Sequence, residues 1–408
     1  MRQNLGIFFR SLGVSLILVL LPLAASGFGP KVPLIELNAS GSATEMGRGT
    51  SLAADGGADK MMMPNPFTYS YVAGEKLSDK AGSGKVYKIV IDGDPKSVLT
   101  KLAKVFGITG NVFEPEYSQP EYPTFQIGST DGSGPSATIN GSGTGSWWFN
   151  DPSAYPSPKC IGKATSEDGA EYCSAYEEQK STPGLIPSKD KIIAAAVETF
   201  NATGLKVSSS DIRVDISEWG ASASASLKID GADTPIEWYM SWGMHGKLGS
   251  VSGNSVRFEE KGNLDTISEK AAVARMSDWR YSGQIASSLW NKYAPPVRAG
   301  EPDMIAYDAP LEVGESTESE VTPEATPEPI VVTVNEAHAV SVLIWDKNGN
   351  AWLVPGYVLI GDQGWLTSVF ALEDGVVALP DPVAIEPRLD DSVSTEPGQS
   401  GEVSPMVK

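Results

Sequence analysis

The chain has 408 residues and carries 31 Lys+Arg against 51 Asp+Glu, a formal charge of −20. An acidic balance argues against nucleic-acid binding, which draws its affinity from basic side chains neutralising phosphates. Two histidines and two cysteines are too few for an ordinary four-ligand Cys/His zinc site, and no cofactor motif occurs. The length suits two or three domains, and 41% hydrophobic residues allow real cores.

Residues 1–30 read as a signal peptide or signal anchor. Arg2 and Arg10 precede an uncharged run from Ser11 to Pro30 with a dense apolar centre at Leu16–Leu21, followed by Pro22 and the small residues Ala24, Ala25 and Ser26. A run of this length also spans a bilayer at 1.5 Å per residue, so both cleavage and retention stay open. Either way the bulk of the chain is expected outside the cytoplasm, anchored in the cell membrane or secreted. Residues 31–80 are rich in Gly, Ser and Ala and read as a flexible arm. Within them Met61, Met62 and Met63 could bind Cu(I) through thioethers, but packing under a strand is the preferred reading.

A first α+β module is expected over residues 81–160. Val86–Ile91 alternates like a strand, and Asp94 caps a helix with Pro95 in its first turn and Gly107 as its stop. Val98, Leu99, Leu102, Val105 and Phe106 share one face of that helix. Thr124–Ile127 and Ser136–Ile139 read as strands around an Asp131–Gly134 turn, and Trp147–Phe149 as another. Cys160 and Cys173 then enclose a short polar loop. In an exported chain such a lone pair reads as one disulfide across a hairpin.

A second module, residues 161–298, repeats the plan. Ser188 caps a helix carrying Ile192, Ile193, Ala196, Val197 and Phe200, and Gly204 ends it. Ile212–Ile216, Ala221–Ile229 and Ile236–Trp242 alternate as strands, and Thr266-Ile-Ser-Glu269 fits a capping box. The expected fold is therefore α+β: two modules, each a helix on an antiparallel sheet, plus a C-terminal β segment. Residues 299–329 form an acidic Pro/Thr-rich linker, 330–380 a β segment completing one of the earlier sheets, and 381–408 a disordered acidic tail. Residues 299–408 account for −17 of the −20, so the preceding body is nearly neutral.

No nucleophile–base signature stands out. His245 sits in a hairpin turn and His338 in an acidic strand entry, and neither adjoins a nucleophile motif. Glu114, Glu116 and Glu121 are the nearest carboxylate cluster for glycan hydrolysis, in a proline-rich, solvated context. Asp346, Asn348 and Asn350 begin like a calcium loop, but Ala351 stands where the glycine belongs, so a hairpin turn is expected. The candidate binding residues are Trp147, Trp148 and Tyr155, whose flat rings can stack on sugars or anchor a protein. Adjacent strand residues face opposite ways, so at least one of the two tryptophans is expected in the core.

The run Gly145-Ser-Trp-Trp-Phe-Asn-Asp-Pro152, the paired cysteines, Leu185-Ile-Pro-Ser-Lys-Asp190 and Trp352-Leu-Val-Pro-Gly-Tyr357 resemble a group of uncharacterised actinobacterial membrane-anchored envelope proteins. The helix-plus-sheet modules also resemble, in architecture alone, PepSY-type units. The resemblance implies one N-terminal membrane segment and an exported region without assigned activity. The leading reading is a non-enzymatic exported protein that binds an envelope partner protein or senses the envelope. A module binding cell-wall glycan through Trp147 and Trp148 comes second, and an envelope hydrolase third.

Overall fold

The computed structural model describes residues 32–37, 69–166, 169–293 and 329–382. The signal or anchor segment, Met61–Met63, nearly all of the linker and nearly all of the tail lie outside the described residues. Among those described, no helix is long and apolar enough to cross a membrane.

Local chemistry fixes the first of the described helices, α1 (Pro95–Phe106). The Asp94 carboxylate accepts the Ser97 backbone N–H at 2.9 Å, and Gly107 ends the helix at φ 69, a conformation costly for residues with a Cβ. Leu99, Leu102 and Ala103 form its buried stripe. The second long helix, α2 (Lys189–Ala202), starts after Ser188 and buries Ile192, Ala196 and Phe200, spaced four apart on one face.

Both helices pack on one sheet. After strands β1 (Ile35–Glu36), β2 (Tyr69–Ala73) and β3 (Gly82–Ile91), the first half contributes β4 (Thr124–Gly128), β5 (Ser136–Asn140) and β6 (Ser146–Asn150). The hairpin strands β7 (Cys160–Thr165) and β8 (Glu171–Tyr176) follow. The second half contributes β9 (Arg213–Ser217), β10 (Gly220–Ile229), β11 (Ala232–Trp242) and β12 (Leu248–Asn254). Their order is β4-β5-β6-β12-β11-β10-β9, a seven-stranded antiparallel sheet. Helix α1 contacts β4 and β5, and α2 contacts β9 and β10. This corrects the expected pair of separate sheets. Strand β12 pairs with β6 through Val251↔Phe149 and Gly253↔Trp147, so the two halves share one core. The join covers two strand edges whose N–H and C=O groups would otherwise need other partners.

The remaining elements are β13 (Val256–Thr266), α3 (Glu269–Ala274), α4 (Ser287–Tyr293), β14 (Ile330–Trp345), β15 (Ala351–Gly361), β16 (Leu366–Phe370) and β17 (Val377–Ala378). A second sheet runs β13-β3-β15-β14-β2, with β16 also on β15. The C-terminal segment thus joins the long β3–β13 ribbon. The arm expected over residues 31–80 is also corrected at both ends: β2 pairs in parallel with β14, and β1 with β17. These strands draw their backbone partners from hundreds of residues away, and Tyr69 and Tyr71 pack against Trp365. The capping box moves too. Thr266 ends β13, and Ser268 caps α3 by accepting the Ala271 N–H.

Inside the second sheet region, Arg275 is buried. Its guanidinium donates to the Phe370 and Leu372 carbonyls, each at 2.8 Å, and to Asp374 at 2.9 Å, with the Tyr281 ring 4.5 Å away. Burial pulls its pKa down from the ordinary arginine value, opposed by Asp374 and Tyr281.

Candidate binding face

Alternation along each strand gives the seven-stranded sheet two unlike faces. Ile127, Ala137, Ile139, Trp147, Phe149, Val251, Met240, Trp238 and Ala223 point to the helices and are buried. The opposite face carries a cross-strand row fixed by register: Gln126, Thr138, Trp148, Ser252, Tyr239, Ser224 and Arg213, of which Thr138 is itself buried. Beside it runs a second row of Gly128, Ser136, Asn150, Ser250, Ser241, Ser222 and Asp215. In both rows the four strands β4, β5, β6 and β12 present no charge and no aliphatic side chain.

The two adjacent tryptophans divide between these faces. Trp147 is 1% exposed and Trp148 is 42% exposed. Trp147 is therefore a core residue, and its role as a candidate binding residue is withdrawn: an enclosed ring has no surface to offer a ligand. Trp147 and Trp238 flank Gly253, where a Cβ would lie 2.3 Å from the Trp238 Nε1 and 2.6 Å from the Trp147 Cζ2. Only hydrogen at that position lets the two indoles close over the strand between them. Tyr155 is 47% exposed and reaches the open face. Its hydroxyl is 2.6 Å from the Ser241 Oγ, which in turn is 2.7 Å from the Ser250 Oγ. The ring lies over Gly249, where a Cβ would come within 2.2 Å.

Tyr239, 43% exposed, is the aromatic that the sequence reading did not single out. Its position was encoded: Ile236, Trp238, Met240 and Trp242 all face inward, so Tyr239 must face out. What the sequence reading lacked was β12, whose Ser252 sits between Trp148 and Tyr239 and puts them in one row.

Charge gathers at one margin. Glu237 Oε1 accepts the Ser287 N–H at 2.9 Å, the Ser287 hydroxyl at 2.8 Å, the Ser226 hydroxyl at 3.0 Å and the Arg213 Nη2 at 3.3 Å. Asp233 accepts from Ser288 at 2.6 Å and lies 3.8 Å from Arg213. These contacts bind α4 to the sheet and occupy the charged groups. Near Tyr155, Lys247 is 2.9 Å from Asp151. Burial raises the Asp151 pKa, but bonds from Ser153 and Lys247 outweigh it and hold the carboxyl below its usual range.

The other candidates do not assemble into a site. Glu114, Glu116 and Glu121 are exposed on their loop, with Glu114 accepting from Ser118. His245 is exposed, and His338 stacks on Tyr293 at 4.2 Å. Both Asp346 oxygens are occupied, by the backbone N–H groups of Asn348 and Asn350, the Asn350 amide and the Trp352 indole. Cys160 and Cys173 form a disulfide, with Cα atoms 5.8 Å apart, across the β7–β8 hairpin. Among the described residues no three His, Cys, Asp or Glu side chains gather closely enough to hold a metal.

No protein-family model matches the sequence, and no curated protein does so at a significant level. Among solved structures, an uncharacterized protein from Eubacterium rectale is similar over 74% of this chain and 86% of its own, at 9% identity and a TM-score of 0.33.

Proposed function

We propose that this is an exported, non-enzymatic binding protein that holds a neutral cell-wall polysaccharide on the open face of its seven-stranded sheet. The observation that carries this reading is the row Trp148–Ser252–Tyr239, two exposed rings on an uncharged hydroxyl and amide surface. The C–H groups of a pyranose carry partial positive charge and meet the negative face of an aromatic ring. Serine hydroxyls both donate and accept, as sugar hydroxyls do. Exposed tryptophan and tyrosine also anchor protein partners, but protein interfaces are depleted in serine, the residue that surrounds these two rings.

Two further features fit the same reading. The disulfide suits an oxidising compartment outside the cytoplasm, in keeping with Arg2–Pro30 acting as a signal or membrane anchor. The two halves, α1 with β4–β6 and α2 with β9–β12, read as a repeated helix-on-sheet module whose sheets have merged. This is compatible with the actinobacterial envelope proteins that the sequence resembles.

The test is binding of the full-length protein to purified, soluble cell-wall glycan strands, compared with Trp148→Ala. Trp148 is largely outside the core, so the variant is expected to fold. Loss of one central aromatic anchor costs about 2 kcal/mol, so affinity should fall by more than tenfold. Wild-type protein that ignores the glycan while capturing a single envelope protein through Trp148 would refute the proposal in favour of a protein partner.

A further inference from the structure

We infer that the polysaccharide lies across the strands rather than along them, and that it is a single extended β-linked chain contacting Trp148 and Tyr239 with alternate sugars. The inference rests on the glycan-binding reading and specifies its ligand. Along β6 the open face offers Ser146, Trp148 and Asn150, and along β11 it offers Glu237, Tyr239 and Ser241. Each strand thus holds one aromatic. The line joining the two rings runs with the cross-strand register, through Ser252.

Spacing gives the linkage. The backbones carrying the rings are two strands apart, about 9.5 Å at the usual inter-strand distance. In an extended β-1,4-linked chain this is the repeat of two sugars, because successive rings alternate in orientation. The sugar between them passes over Ser252, whose short side chain leaves room and offers a hydroxyl. An α-1,4-linked chain coils and does not return the same ring face at that interval. Thr138 is buried, so the row open to a ligand runs from Trp148 on β6 to the edge strand β9, five strands or about 19 Å. Three sugars therefore reach both rings, and about four fill the open row.

Twist separates a free chain from a crystalline surface. Adjacent strands rotate by roughly 20–25°, so the strands carrying Trp148 and Tyr239 differ in direction by about 40–50°. Rings on a flat polysaccharide lattice are coplanar over that distance, whereas a lone chain twists to follow the row. Charge narrows the class further. Across β4, β5, β6 and β12 the two rows carry no cation, and Arg213 at the far edge is engaged by Glu237 and Asp233. Polymers of uronic acids or sugar phosphates find no counter-charge in the centre of this face.

The experiment is a length series of soluble chito- and cello-oligosaccharides, one to six sugars, titrated into the full-length protein by calorimetry and tryptophan fluorescence. Malto-oligosaccharides and microcrystalline chitin serve as comparisons. Affinity for at least one β-1,4 series should rise at least tenfold between two and three sugars and level off near four. Tyr239→Ala should remove that step while leaving the weaker disaccharide binding. Malto-hexaose and the crystalline polymer should bind at least tenfold more weakly. If β-1,4 oligomers bind and Trp148→Ala abolishes binding, but affinity is independent of length or Tyr239→Ala is silent, this inference fails and the glycan-binding proposal stands. Binding to malto-hexaose or crystalline chitin as tight as to the best β-1,4 oligomer also overturns it. If no glycan binds at all, the proposal beneath it fails as well.

Discussion

Gly253→Ala probes the join between the two halves of the sheet. The added Cβ would lie 2.3 Å from the Trp238 Nε1, 2.5 Å from its Cδ1 and 2.6 Å from the Trp147 Cζ2. Ordinary carbon contacts are about 3.5–4.0 Å, so something must move by about 1 Å. Both indoles are only 1% exposed and enclosed by the main core, which leaves them no free direction. Overpacking of this kind costs about 1–3 kcal/mol. Replacing glycine returns about 0.5–1 kcal/mol through the unfolded chain. The expected net loss is about 1–2 kcal/mol, or about 2–4 °C in Tm for a folded body of this size. Urea unfolding followed by far-UV circular dichroism reads it directly. Gly134→Ala is the control: its Cβ meets only the Ser129 Cβ, at 3.7 Å, and stability should hold or rise slightly. A Gly253→Ala protein as stable as the Gly134→Ala protein would refute the account of the two indoles closing over β12.

Arg275→Met keeps apolar volume but leaves the Phe370 and Leu372 carbonyls without their donor, and should lower stability by about 2–4 kcal/mol in the same urea assay. Replacing both Cys160 and Cys173 by serine removes a staple worth about 3 kcal/mol in the loop-entropy picture. Because among the described residues β7 and β8 pair only with each other, the loss should be local: proteolysis within residues 160–176 accelerates while the global midpoint holds. For pH, burial raises the Asp346 pKa, but bonds from Trp352, Asn350 and Asn348 more than reverse it, and the Arg280 guanidinium holds Asp278 low. A carboxyl whose folded pKa lies below its unfolded value stabilises fully above about pH 4, and that contribution is lost as pH falls through the folded value. The urea midpoint should therefore be insensitive to these groups near neutrality and drop in acid, with a shallower drop in Asp346→Asn.

Much of this was legible in the sequence because its causes are local. Asp94, Pro95 and Gly107 bound a helix through capping and a positive φ, and the observed helix begins and ends where they require. Alternation in Ile236–Trp242 fixed which side chains face inward. The Cys160–Cys173 disulfide also followed from spacing, in a chain read as exported. Strand β12 was not legible. Leu248-Gly-Ser-Val-Ser-Gly-Asn254 has the small residues of a loop, and its fit depends on indoles from β6 and β11 closing over Gly253. Without β12 the two halves look separate, and Trp148 and Tyr239 have no common surface. Strands β1 and β2 were hidden for a related reason: each pairs with a partner more than 250 residues distant.

The parallel β1–β17 pairing also has a mechanical consequence. The Leu34 and Leu37 N–H groups donate to the Val376 and Ala378 carbonyls, and Lys347 reaches Glu36, so the first and the last of the described strands lie side by side. In a parallel pair, chain enters one strand and leaves the other at opposite ends. Tension between the two termini therefore acts along the strands, straining those hydrogen bonds together rather than peeling them one at a time. Until that clamp gives way, the load bypasses the seven-stranded sheet. A protein held at one end and pulled at the other would keep its open face in shape.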